Sequence, residues 1–124
     1  MIAADTSTII AFIQGDLGED VDKFDAALAA GTVMISPVAL TELLSEPRLP
    51  QRHEDFIRSL PLLEIHDGYW IRAAKSRATL LSQKLRARLP DTLIAQAAID
   101  HDLALIQRDG DFRHFAKHCG LKLA

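Results

Sequence analysis

Short apolar runs along the chain alternate with longer stretches in which apolar residues recur every three or four positions. Residues 2–4, 32–35, 62–65, 103–106 and 121–123 are nearly unbroken apolar or β-branched runs of strand length, the pattern of strands buried on both faces. Between them lie helical patterns. Residues 21–30 place Val21, Phe24, Ala27 and Leu28 on one face, 37–44 open with Pro37, 69–85 are rich in Ala, Leu, Lys and Arg, and 90–101 open with Pro90. Weaker helical signals occupy 55–59 and 112–118. Strands that alternate with helices require right-handed crossovers, which predicts an α/β domain with a parallel sheet flanked by helices. In such folds ligands bind at the carboxyl ends of strands and the helix starts that follow them.

Composition narrows the picture. A chain of 124 residues and 13.7 kDa with 48% hydrophobic and 25% charged residues fits one globular domain spanning residues 1–124, and excludes a disordered or low-complexity chain. No repeat or linker divides it. The longest apolar stretches, such as 37–40 and 103–106, fall far short of the roughly 20 residues that a membrane-spanning helix needs. Met1 to Asp5 lack a basic segment and cleavage site, so a cytoplasmic protein is expected. The lone Cys119 excludes an internal disulfide and a thiolate zinc site. His114 and His118 share a helical spacing but have no third ligand nearby.

A net charge of −3 conceals an asymmetry. Residues 1–71 carry four basic and twelve acidic side chains, whereas 72–124 carry ten basic and five acidic. Arg72, Lys75, Arg77, Lys84, Arg86 and Arg88 follow one another with no acid between Asp67 and Asp91. Such a run is either a solvated helix face or a surface that tracks phosphates.

The candidate chemistry is acidic. Asp5 ends the first strand, Glu42 lies in the helix after the second, Asp91 begins the helix that opens with Pro90, and Asp109 and Asp111 follow the fourth strand. Each alone has an ordinary explanation as a cap, a solvated residue or a turn. Together they converge on one pocket, where like charges need an offsetting cation. An all-oxygen set suits Mg²⁺ or Mn²⁺.

Asp5-Thr6-Ser7, Ser36-Pro37-Val38 leading to Thr41-Glu42-Leu43, Pro90-Asp91-Thr92-Leu93-Ile94-Ala95 and Arg108-Asp109-Gly110-Asp111-Phe112 stand in an order and spacing that resembles the PIN domain. In particular, the chain looks like VapC-type toxins of bacterial toxin–antitoxin pairs, over almost its whole length. The resemblance implies a five-stranded parallel sheet of order 3-2-1-4-5 and an Mg²⁺- or Mn²⁺-dependent endoribonuclease acting on a structured RNA such as tRNA. It also implies a homodimer neutralised by a cognate VapB-type antitoxin. Asp5, Glu42 and Asp91 match three of the family's acidic positions; Asp109 is taken as the fourth, with Asp111 the second candidate. Ser7 matches a hydroxyl position that orders the site, and Thr41 is a further candidate for that role. Gln107 departs from the pattern, because similar sequences carry Thr or Ser two residues before the fourth acid.

Empty carboxylates repel RNA, so a basic flank is required, and the run from Arg72 to Arg88 together with Arg108, Arg113 and Lys117 supplies the candidates. Which of Asp91 and Glu42 is the proton acceptor stays open, as does RNA against DNA. A water nucleophile implies 5′-phosphate products. A haloacid-dehalogenase-like phosphatase would need an acid where Ser7 stands, and a receiver domain would need paired acids before Asp5. A non-catalytic binding module is the remaining rival.

Overall fold

The computed structural model describes residues 1–124, and its centre is β1 (Ile2–Ala4). Helices α1 (Thr6–Ile13) and α2 (Glu19–Ala30) lead to β2 (Val33–Met34); α3 (Pro37–Leu44), α4 (Gln51–Ser59), α5 (Tyr69–Ser82) and α6 (Leu89–Asp100) lead to β3 (Ala104–Ile106); α7 (Phe112–Cys119) leads to β4 (Lys122–Leu123). All pairings are parallel, in the order β2-β1-β3-β4, with Ile2 beside Val33, Ala3 beside Leu105 and Ala104 beside Lys122.

The sheet has four strands, not the five expected. Where a strand over 62–65 was predicted, a single bridge joins Leu62 to Ile35 at the outer edge of β2. Two hydrogen bonds hold it, Ile35 N to Pro61 O (2.9 Å) and Leu63 N to Ile35 O (2.8 Å). The ladder stops there because the next donor on the β2 side would be Pro37, which has no N–H and begins α3. One residue on, the Glu64 carbonyl accepts from His101 Nε2 at 2.7 Å. The predicted order is otherwise kept, with this bridge standing in the outermost place.

Helix α1 was not foreseen in the sequence pattern. Five of its eight residues, Thr6, Thr8, Ile9, Ile10 and Ile13, are β-branched, a composition that disfavours helix. Two forces override that preference. Asp5 caps the helix by accepting from Ser7 N (3.1 Å), and Thr8, Ile9 and Ala11 are buried in a helix that packs against α2 and α3. At the far end of α2, Gly31 adopts the left-handed conformation (φ 70°) that terminates the helix.

The core is one continuous cluster that includes Ile9, Phe24, Ile35, Leu105, Phe112 and Phe115. Helix α6 runs through it with Ile94, Ala95, Ala97 and Ala98 buried; its small side chains permit close approach to α5, where the Tyr69 hydroxyl donates to the Leu93 carbonyl. On the opposite flank Asp20 ties three segments together. Its carboxylate accepts from Thr8 Oγ1 (2.9 Å) and Arg108 Nε (3.0 Å), while Arg108 Nη2 donates to Leu17 O (2.8 Å).

The Arg108 guanidinium, and then the Thr8 hydroxyl, hold the Asp20 carboxyl below its ordinary value of 3.8. A lowered carboxylate pKa contributes stability that is complete above the unfolded value and is lost as pH falls through the folded one. Asp20→Ala is therefore expected to destabilise the protein at pH 7 by about 1–3 kcal/mol, since it strands the buried Thr8 hydroxyl and the Arg108 charge. Urea unfolding at pH 7 and pH 3 checks this: the gap between variant and wild type should shrink in acid, and an equal gap at both values would refute the ionic part.

Candidate active site

Four strand ends and helix starts bring the acidic side chains together. Asp5 follows β1, is 4% exposed, and its amide donates to Ile106 O of β3 (2.9 Å). Its Oδ2 accepts from both the Ser7 hydroxyl (2.5 Å) and the Ser7 amide (3.1 Å). Glu42 projects from α3 and accepts from Thr6 Oγ1 at 2.8 Å. Asp91 lies in the first turn of α6, and its Oδ2 is buried without a hydrogen-bond partner. Asp109 and Asp111 occupy the turn between β3 and α7, where Asp109 Oδ1 accepts from the Asp111 amide (2.9 Å). Carboxylate oxygens of Asp91, Asp109 and Asp111 lie within 4.8 Å of one another.

The electrostatics show that these acids share one field. Burial, followed by the charges of Asp5, Asp109 and Glu42, raises the Asp91 pKa to about 6 against the opposing pull of Arg88. Asp5 is raised as well, chiefly by burial; the Ser7 hydroxyl and backbone amides oppose the shift, and the Glu42 charge adds to it. All five acids singled out in the sequence thus meet at the carboxyl edge of β1 and β3.

The hydroxyls divide differently from expectation. Ser7 orders Asp5, but the exposed Thr41 bonds back to the Pro37 carbonyl of its own helix (2.8 Å). Thr6 is the hydroxyl that holds Glu42, and sequence reasoning missed it; its place beside Asp5, at the mouth of a strand, was the available signal. Gln107 keeps its Oε1 buried and unpartnered, beside Asp20 and Arg108 and not among the clustered acids.

The basic candidates fall into two groups. Arg72 pairs with Asp100 at 2.7 Å and donates to Asp67 O, at the end of α6 about 14 Å along the helix from Asp91. Arg77 Nε donates to Ala87 O (2.8 Å), and Arg108 is committed to Asp20. These three fasten the fold. Arg86 reaches Asp111, its Nε standing 3.4 Å from Asp111 Oδ2. Lys75, Lys84, Arg88, Arg113 and Lys117 form no ion pair with an acid.

The donor chemistry fits a hard divalent cation. Every group offered is a carboxylate oxygen, three of them are within reach of one ion, and the orphaned Asp91 Oδ2 is what an oxygen-preferring cation would satisfy. Cysteine takes no part: Cys119 lies on the far side, donating to Ser76 O.

The family model described as PIN domain matches residues 2–118. The chain belongs to the PIN domain family. PIN domains are nucleases that use divalent metals. No curated protein matches this one in sequence. Among solved structures, the chain is similar to VapBC2 from Rickettsia felis bound to a promoter DNA fragment, with a TM-score of 0.76 and 21% identity over 100% of this chain and 98% of that one. It is also similar to DNA-bound VapBC from Salmonella typhimurium (TM-score 0.71, 21% identity, 100% and 98% covered) and to FitAcB from Neisseria gonorrhoeae (0.70, 18%, 99% and 96%). At these identities the likeness shows the fold, and it spans essentially the whole of each chain.

Proposed function

We propose that this PIN domain is the toxin of a toxin–antitoxin pair, a cytoplasmic Mg²⁺- or Mn²⁺-dependent endoribonuclease that cuts a structured RNA such as tRNA. The observation that carries the reading is the orphaned Asp91 carboxylate amid four other acids. A buried polar atom without a partner is costly, and a cation resolves both that cost and the mutual repulsion.

Asp5, Asp91, Asp109 and Asp111, with Glu42, would hold the ion. When bound, it supplies positive charge against the charge that develops on the phosphate and makes water a better nucleophile near neutral pH. The chain's own groups do the rest. Ser7 and Thr6 fix Asp5 and Glu42 by hydrogen bonds, so the carboxylates are placed before substrate arrives. Asp91 or Glu42 accepts the proton of the attacking water. Lys75, Lys84, Arg86, Arg88, Arg113 and Lys117 form the cationic margin that draws phosphates toward the acids. Attack by water leaves a 5′-phosphate.

Two apolar surfaces support the proposed partners. Ile10, Ile13, Leu43, Leu49 and Ile57 line a groove of about 550 Å³ with Glu42 at its rim. It suits the apolar face of an antitoxin helix whose basic residue would reach the acids. On α5, Ile71 (66% exposed), Ala74, Ala78 and Leu81 share one face beside Trp70 (59%), a surface fitted to a second copy of the chain. Ala73 is buried and does not belong to that face.

Purified protein, stripped of any co-expressed partner, should cut RNA at discrete sites with Mg²⁺ or Mn²⁺, yield 5′-phosphate ends, and be inert in EDTA. Cleavage of matched single-stranded DNA with RNA spared would favour a DNase. No cleavage of either would leave a binding module and overturn the catalytic reading.

A further inference from the structure

Arg86 is the one basic side chain that forms an ion pair with an acid of the site. Its backbone is fixed although its head is largely exposed. The connector between α5 and α6 turns through Lys84 in the left-handed conformation (φ 59°), and Leu85 N donates back to Leu80 O (3.0 Å). Ala87 is buried, with its carbonyl held by Arg77 Nε (2.8 Å); the Arg88 carbonyl accepts both from Thr92 N and Thr92 Oγ1 (2.9 Å each). Arg86 is thus carried by a segment anchored on either side. Its side chain is 64% exposed, against 27% for its partner Asp111.

Two demands meet at Asp111. Its carboxylate has one cationic partner in Arg86, whose Nε stands 3.4 Å from Oδ2. A divalent ion that took Asp111 together with Asp91 and Asp109 would compete with the guanidinium for the same carboxylate. The displaced head remains at the mouth of the site, where its fork of donors is suited to a phosphodiester.

We propose that Arg86 is a positioning residue shared between two partners: it occupies Asp111 while the site lacks metal and turns to a substrate phosphate once the ion takes that carboxylate. Arg86 thereby weakens ion binding in free protein and strengthens RNA binding in the loaded enzyme. The inference rests on the reading of the site as a metal-dependent nuclease.

The test is Mn²⁺ titration followed by electron paramagnetic resonance of the free ion, on wild type, Arg86→Gln and the remote control Arg58→Gln, with steady-state RNA cleavage alongside. An exposed ion pair is a weak competitor, so Arg86→Gln should bind Mn²⁺ about two- to fivefold more tightly, with KM for RNA raised and kcat little changed. Arg58→Gln should match wild type in both. If wild type binds Mn²⁺ and cuts RNA but Arg86→Gln binds the ion no more tightly, the role of Arg86 is overturned and the nuclease reading stands. A tighter ion with unchanged KM overturns the transfer to phosphate. If wild type binds no Mn²⁺, both readings fall.

Discussion

Asp91→Asn is expected to reduce RNA cleavage by about 10²–10⁴-fold and at the same time to stabilise the metal-free protein. The loss follows from the position of the carboxylate, since amide nitrogen neither accepts a proton from water nor ligates a hard cation as carboxylate oxygen does. The gain follows from the sign of the pKa shift. Burial and the charges of Asp5, Asp109 and Glu42 raise the Asp91 carboxyl from 3.8 to about 6, so the folded state binds this proton more tightly than the unfolded chain. Its ionisation costs nothing below the unfolded value; the cost grows as pH rises from 3.8 to about 6 and is complete above that. A shift of that size corresponds to about 3 kcal/mol, which solvent screening of a half-exposed carboxylate reduces to about 1 kcal/mol. Asn carries no such charge, so at pH 7 in EDTA the variant should melt about 3–5 °C above wild type. At pH 4 the two should nearly coincide, and saturating Mn²⁺ should reverse the order by stabilising wild type alone. Differential scanning calorimetry under these three conditions decides. A variant that still cuts RNA, or that melts below wild type at pH 7 in EDTA, would sink the assignment of Asp91.

The same acids were the most legible part of the sequence, for a physical reason. A parallel sheet puts its strand ends at one edge, so acids after apolar runs are enough to predict that Asp5, Asp109 and Asp111 converge, whereas Asp91 is brought to them by the start of α6, which follows a helix and not a strand. What the pattern could not supply was pairing between distant segments. Asp20 reads as one acid in the stretch from Asp16 to Asp25, yet it binds Arg108 eighty-eight residues away. Arg108 and Arg72 belong to a basic series in sequence but are held by carboxylates in space. Helix α1 is hidden by its β-branched composition because the burial that compensates for low propensity is tertiary. The strand expected over 62–65 is the converse case. Its apolar run is real, and its pairing ends because the neighbouring strand reaches Pro37.

Phe112→Ala should cost about 3–5 kcal/mol, much of the 5–15 kcal/mol typical of a domain, and should disorder the turn that carries two of the three clustered carboxylates. Phe112 is fully buried, packs toward Phe115 with ring centroids 6.2 Å apart, and immediately follows Asp111. The backbone alone holds this turn weakly. Asp111 gives α7 no side-chain cap, and the bonds Phe112 N to Asp109 O, Arg113 N to Gly110 O and His114 N to Asp111 O are 3.3–3.4 Å long. The ring is therefore the principal anchor of the segment that carries Asp109 and Asp111. Phe112→Leu, which keeps most of the apolar volume, should lose less stability and retain Mn²⁺ binding. Urea unfolding monitored by circular dichroism gives the stability order, and Mn²⁺ titration of whatever remains folded gives the state of the site. If Phe112→Ala unfolds like wild type, the ring is not the anchor, and the placement of both carboxylates must rest on the Asp109 turn and on Arg86 instead.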